Sequence, residues 1–217
     1  MFRDTRLVIY DLDGVLIDGT KAILRAFRLT LREIGVDSDD DEIRSLIGMS
    51  FVDVLERVLP EERRGEVWRL RDRYIHHFQT GGELVKLLPG VEETLRGIHG
   101  MGRMQSVATN KTSSEARRIL RNLGVYDAFD LVVGFLDVPN AKPAPDMILY
   151  TLERLGVEKR HAVFVDDTAF GLKAGVEAGV NTVGITTGIH TREQLMQVRP
   201  DYVVDGLHGL KWLLQKQ

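Results

Sequence analysis

The sequence predicts an α/β protein: a parallel sheet covered by helices, with an all-helical segment inserted after the first strand. Three observations lead there. From about residue 81 onward, short β-rich apolar runs alternate with amphipathic stretches. Residues 19–80 break that alternation, carrying apolar residues at helical spacing and no convincing strand. Four polar clusters also fall just past strand-like runs, and in a parallel sheet such strand ends share one rim.

The first strand is the run Leu7 to Tyr10, closed by the turn residues of "DLDG". In the stretch that follows, Ile23, Leu24, Phe27, Leu31 and Ile34 lie three or four apart. Ile43, Leu46 and Ile47 repeat the spacing, as do Val54, Leu55 and Val58, and then Val67, Leu70, Tyr74 and Phe78. About four helices in a row are expected. The insert is bounded near Ile17 to Gly19 and again at "TGGE" (80–83), whose glycines suit a hinge. The expected division is therefore a core of residues 1–17 and 82–217 and a helical domain of 18–81. Beyond it the strand candidates are Gln105 to Thr109, Leu131 to Val133, Ala162 to Val165, Thr182 to Thr186 and Tyr202 to Val204. Between them "SSEARRILRNLG" opens on serine N-cap candidates, and "GLKAGVEAG" ends on Gly179 as a helix should.

Composition narrows the class. Of 217 residues, 43% are hydrophobic and 28% charged, the balance of an ordinary globular chain able to bury a core. Lys and Arg number 29 against 32 Asp and Glu, giving a net charge of −3 with no basic stretch, so nucleic acid is not an expected partner. The absence of cysteine excludes disulfides and thiolate metal sites and makes a reducing interior the default. No run approaches a membrane span and the N-terminus does not read as a signal peptide, so the expectation is a cytoplasmic protein, monomer or homodimer, with no membrane partner.

The chemistry is carried by Asp11 and Asp13 after the first strand, Thr109 and Asn110 after the second, Lys142 beyond the third, and Asp166 and Asp167 after the fourth. At i and i+2 of an extended segment, Asp11 and Asp13 leave on one face. Four carboxylates in one crevice repel unless a cation or protons intervene, and a hard divalent ion with oxygen ligands answers that repulsion. Magnesium keeps positions for water and phosphate oxygens, so the set suits metal-assisted phosphoryl chemistry. Lys142, between the prolines of "AKPAPD", can set a point charge against both a phosphate and a carboxylate. The Thr109 hydroxyl and the Asn110 amide suit phosphate oxygens. The acidic run "DSDDDE" (37–42) lacks the glycine and distal glutamate of a calcium loop and reads as a solvated helix start. His76 and His77, adjacent on a helix, diverge by about 100° and cannot face one metal. Trp68 and Trp212 read as packing residues.

In "DLDGV" (11–15), "VATN" (107–110), "AKPAPD" (141–146) and "FVDDT" (164–168), taken in order, the chain resembles the phosphatases of the haloacid dehalogenase (HAD) superfamily. The resemblance spans essentially the whole chain. It implies a Rossmann-like parallel-sheet core, the HAD fold, with the insert as its cap domain. It also implies Asp11 as a nucleophile forming an aspartyl-phosphate and Asp13 as the acid and base. Magnesium would be held by the Asp11 carboxylate, the Asp13 backbone carbonyl and Asp167, with Asp166 binding directly or through water. Thr109 and Lys142 would hold the phosphoryl group.

One common form of the fourth motif has Gly-Asp followed by Asp four residues on, where this chain has Asp166-Asp167 and Gly171. Dehalogenases and phosphonate-cleaving relatives lack a second aspartate such as Asp13. Sugar-phosphate mutases carry a cap histidine where this chain has Ile23 and an arginine where it has Phe51. Hydrolysis of a small phosphorylated metabolite is thus expected, and "LIGMSFVDVL" (46–55) is most similar to the phosphoglycolate phosphatase and pyrophosphatase branch. Gly48, Met49 and Ser50 are the candidate substrate contacts. The alternatives are a β-phosphoglucomutase-like mutase, an inorganic pyrophosphatase, and a catalytically idle relative that binds a phosphometabolite.

Overall fold

All six runs read as strands join one sheet. In a computed structural model, which describes residues 2, 4–37 and 39–215, they are β1 (Leu7–Tyr10), β4 (Met104–Thr109), β5 (Leu131–Gly134), β6 (Ala162–Asp166), β7 (Asn181–Ile185) and β8 (Tyr202–Val204). Their order is β5-β4-β1-β6-β7-β8 and every pairing is parallel. β1 is fully buried along its length, as its unbroken apolar run requires. Its alternation still sorts the two faces. Val8 and Tyr10 pack with the helices α5 (Val91–Gly100), α6 (Ser113–Asn122) and α10 (Leu207–Gln215). Leu7 and Ile9 pack with α7 (Asp146–Leu155) and α8 (Ala169–Ala178). The short α9 (Arg192–Met196) follows β7.

Register brings the strand ends level. Tyr10 lies opposite Val107 of β4 on one side and Val165 of β6 on the other. The residues that follow each strand therefore emerge side by side at one edge.

Between β1 and β4 lie the four expected helices, α1 (Thr20–Arg32), α2 (Asp40–Ser45), α3 (Phe51–Val58) and α4 (Val67–Thr80). α1 packs against α4 through a ring cluster: Phe27 and Tyr74 have centroids 4.6 Å apart, and Phe51 lies 4.7 Å from Tyr74. Phe27 and Tyr74 are among the positions that helical spacing picks out, whereas Phe51 is not. The apolar cluster is continuous from the sheet into the insert, including Ile43, Val54 and Phe78.

Several details differ from the sequence reading. The hinge contains a small antiparallel pair, β2 (Ile17–Asp18) with β3 (Lys86–Leu87), too short to show as alternation. It clips together the two chain crossings into the insert. α6 is capped by Thr112 rather than by a serine: its hydroxyl accepts from the Glu115 N–H while Glu115 reaches back to the Thr112 N–H, a reciprocal box. Pro145 stands at the N-cap of α7, one position earlier than the inside of the helix. Trp68 and Trp212 are more than half exposed, so they are not core packing residues.

The acidic run does open a helix, with Asp39 accepting from the Asp41 N–H at the head of α2, while its Ser38 lies outside the described residues. α8 ends on Gly179 in the left-handed conformation (φ 75°). Among the described residues no helix is long and apolar enough to cross a membrane.

Candidate functional site

The four clusters converge where register puts them. Asp11 continues β1, its N–H donating to Val165 O of β6 at 2.9 Å, and is 4% exposed. Ligand oxygens of Asp11, Asp166 and Asp167 all lie within 4.8 Å of one another, and all three residues are buried. Lys142 reaches this group from the segment before α7. Its Nζ is 2.8 Å from Asp11 Oδ1 and 2.9 Å from Asp166 Oδ2, in a side chain 1% exposed.

Burial pushes the Asp11 carboxyl up to about 7, with Lys142 opposing and Asp166 and Asp13 adding to the rise. Asp167 is raised too, by burial first and then by Asp166 and Asp11. Burial would lower the Lys142 ammonium, but the carboxylates of Asp11 and Asp166 outweigh it and hold Lys142 above its ordinary value. One buried cation thus faces three buried carboxylates, a deficit that a divalent ion with oxygen ligands would fill. The donor set fits magnesium.

The carboxylates are not equivalent. Asp166 is already engaged by protein donors, Lys142 on Oδ2 and the Thr168 N–H and hydroxyl on Oδ1 at 2.9 and 2.8 Å. Asp167 Oδ2 accepts from the Ile189 N–H at 2.8 Å. Gly171 explains the unusual fourth motif: a Cβ there would stand 1.9 Å from Asp166 Oδ2, so the Asp166 carboxylate fills the space a side chain at 171 would take.

Asp13 lies outside this trio. Its Oδ2 pairs with Lys111 Nζ at 2.9 Å, while its Oδ1 is buried with no hydrogen-bond partner among the described residues. A buried acceptor left open can take a bond from a leaving oxygen or a water. Gly14, next in the chain, has φ 76° and sits so close to Asp167 that a Cβ would fall 2.3 Å from its Oδ2, so glycine is needed for conformation and for space.

Two expected contacts need correction. The Asn110 side-chain amide is not free for phosphate: Nδ2 donates to Gly48 O and Lys142 O at 2.9 and 3.2 Å, and Oδ1 accepts from the Lys142 N–H at 3.1 Å. It clamps the Lys142 backbone and ties it to the insert. Ser50 does not line the cavity; its hydroxyl caps α3, accepting from the Asp53 N–H and donating to Asp53 Oδ2. Gly48 and Met49 do line it. Thr109 Oγ1 accepts from the Lys111 N–H at 3.2 Å and keeps its own proton to donate.

Sequence reasoning missed Lys111, the residue after Asn110, which is held against Asp13 and lies 4.7 Å from the Phe78 ring centroid. It also missed the loop after β7, where Ile189 supports Asp167 and the Thr187 hydroxyl donates to Gly14 O at 2.6 Å. In the same loop His190 accepts from the Ala169 N–H through Nδ1 at the head of α8.

The carboxylate cluster predicts a linked dependence on pH and metal. Because folding raises the Asp11 pKa from 3.8 to about 7, the native state holds the extra proton between those values. Stability therefore falls as pH rises through that window, by up to roughly 4 kcal/mol from this group, with Asp167 acting in the same direction. The gap in thermal midpoint between samples with magnesium and with EDTA should widen from pH 5 to pH 8. A gap that is constant or narrows would contradict this arrangement.

Comparison with known proteins gives the family. The profile of the haloacid dehalogenase-like hydrolases matches residues 8–185. The chain is 34% identical over 204 residues to the probable phosphatase IndB of Dickeya dadantii, covering 92% of this chain and 89% of that protein. It is 34% identical over 178 residues to a phosphoglycolate phosphatase of Aquifex aeolicus, covering 82% and 83%. A haloacid dehalogenase-like family hydrolase from Streptococcus pneumoniae superposes with a TM-score of 0.87 at 25% identity, covering 98% of this chain and 99% of that one. With a parallel sheet whose strand ends gather Asp11, Thr109, Lys142 and the Asp166-Asp167 pair, and a family match over most of its length, the chain belongs to the haloacid dehalogenase-like hydrolases.

Proposed function

We propose that this hydrolase is a magnesium-dependent phosphatase of a small phosphorylated metabolite, similar to phosphoglycolate phosphatases, working through an aspartyl-phosphate on Asp11. The observation that carries the reading is the buried Lys142 ammonium between Asp11 and Asp166, with Asp167 completing a carboxylate trio. Residues 18–81 act as a cap over a core formed by 1–17 and 82–217.

Asp11 Oδ attacks phosphorus while the ester bond breaks, and Asp13 gives its proton to the departing oxygen. Water then attacks the phosphorus of the aspartyl-phosphate, Asp13 takes the water's proton, and Asp11 and inorganic phosphate are released. Lys142 keeps Asp11 oriented and offsets charge on the phosphoryl oxygens, while the Thr109 hydroxyl donates to one of them. Magnesium, held by Asp11, Asp167, the Asp13 main-chain carbonyl and Asp166 directly or through water, would supply charge neutralisation of the phosphoryl group. The cap excludes bulk water during the transfer.

Hydrolysis is favoured over mutase chemistry because Ile23 and Phe51, at the two positions where mutases carry polar cap residues, form part of an apolar cavity wall. The expected result is magnesium-dependent phosphate release from p-nitrophenyl phosphate that stops with EDTA. A hexose 1-phosphate followed by NMR should be hydrolysed rather than isomerised to its 6-phosphate. No release from any phosphomonoester, or efficient isomerisation, would overturn the reading.

A further inference from the structure

Between cap and core lies a cavity of about 60 Å³ that opens onto Asp11 and Asp13. Its walls away from the motif residues are hydrocarbon and aromatic: Ile23, Phe27, Ile47, Phe51 and Ile75 among them. The charged groups facing it are few, and all but one have work elsewhere. Lys111 pairs with Asp13, and the Glu115 carboxylate is held by Thr112. Asp11 is bound to Lys142.

Arg71, on the same face of α4 as Tyr74 and Ile75, is the exception. It makes no hydrogen bond or ion pair among the described residues, its Nε is buried without a partner, and its guanidinium carbon lies 5.8 Å from the Trp68 ring centroid. A guanidinium with a desolvated, unused donor beside an apolar chamber is poised for an anionic oxygen.

Resting on the phosphatase reading above, we propose that the cavity selects a phosphomonoester with a largely hydrocarbon leaving group bearing one anionic group, and that Arg71 is the specificity residue binding that group. Each competing substrate class conflicts with these walls. A hexose leaving group needs several hydroxyl partners, which these hydrocarbon walls do not supply. Pyrophosphate would bring a second phosphate, all charge and no hydrocarbon, against walls that desolvate it without compensation.

The test compares isosteric pairs that differ only in charge at the far end: phosphoglycolate against isobutyl phosphate, and 3-phosphonooxypropanoate against isopentyl phosphate. In the native enzyme kcat/KM should favour the acid of each pair by about 30-fold, the scale of one charge-assisted bond. Both acids should exceed glucose 6-phosphate and pyrophosphate. In Arg71→Ala the acid-to-neutral ratio should fall to near one, and Arg71→Lys should restore part of it. Circular dichroism checks the fold of both variants, and the ratio cancels a general loss of active enzyme.

A ratio that persists in Arg71→Ala, or native turnover that favours glucose 6-phosphate or pyrophosphate, overturns the proposal. Turnover of p-nitrophenyl phosphate with no preference for the acids overturns it alone and leaves the phosphatase reading standing. No turnover of any ester overturns both.

Discussion

Asp11→Asn is expected to lower kcat for phosphate release by about 10⁴-fold or more while leaving a folded protein, because removing a nucleophile costs effects of that order. The carboxamide keeps the shape and can still accept from Lys142, but it cannot attack phosphorus as an anion. The same change should stabilise the metal-free protein at pH 8 by about 1–2 kcal/mol, since it removes one of three buried carboxylates whose charges oppose one another. Stopped assays of phosphate release and thermal melts in EDTA measure the two effects on one sample. Loss of activity with higher stability marks a site strained by its own charge. Retained activity would reject Asp11 as the nucleophile, and a lower melting point would reject the repulsion account.

Lys142→Met should have the largest effect on stability. The methionine fills a similar volume but leaves Asp11, Asp166 and Asp167 buried without their cation, and breaking a buried ion pair in this way costs about 3–5 kcal/mol. Urea denaturation in EDTA at pH 8 should show the full loss. At pH 5, where the raised Asp11 carboxyl is mostly protonated, the loss should be smaller. Activity should fall by about 10²–10³-fold, as expected when a group that stabilises developing charge is removed. Asp11→Asn and Lys142→Met share one ion pair, so the double variant should be more stable than the sum of the two single changes predicts. Simple additivity would mean that Asp11 and Lys142 do not act as a unit.

Much of the site was legible in the sequence because the polar groups follow strand-like runs directly. Once β1, β4 and β6 lie parallel with ends level, Asp11, Thr109 and Asp166 must share an edge. Lys142 needed more than topology. It lies well past β5, and its backbone N–H and C=O are both held by the Asn110 amide. The sequence reading gave that amide to phosphate because an asparagine beside a motif threonine offers no sign of which partner its hydrogen bonds will find. Ser50 misled for a similar reason: a hydroxyl near the site looks like a ligand until α3 begins there and takes it as a cap.

Lys111 shows the limit from the other side. It is one of eight lysines in the chain, and only the pairing of β1 with β4 and the packing of α4 over them put it against Asp13 and Phe78.

Order, spacing and alternation thus determined by themselves the parallel sheet, the helical insert and the identity of the carboxylate, threonine and lysine groups, because each depends on neighbours a few residues away. The tertiary structure alone decided how those groups divide the work. Which carboxylate Lys142 and Thr168 occupy, why the Asp166 carboxylate leaves room only for glycine at 171, and that Arg71 has no partner among the described residues beside an apolar cavity all depend on contacts that local spacing does not show. Such contacts are set by packing and burial, which local pattern does not encode.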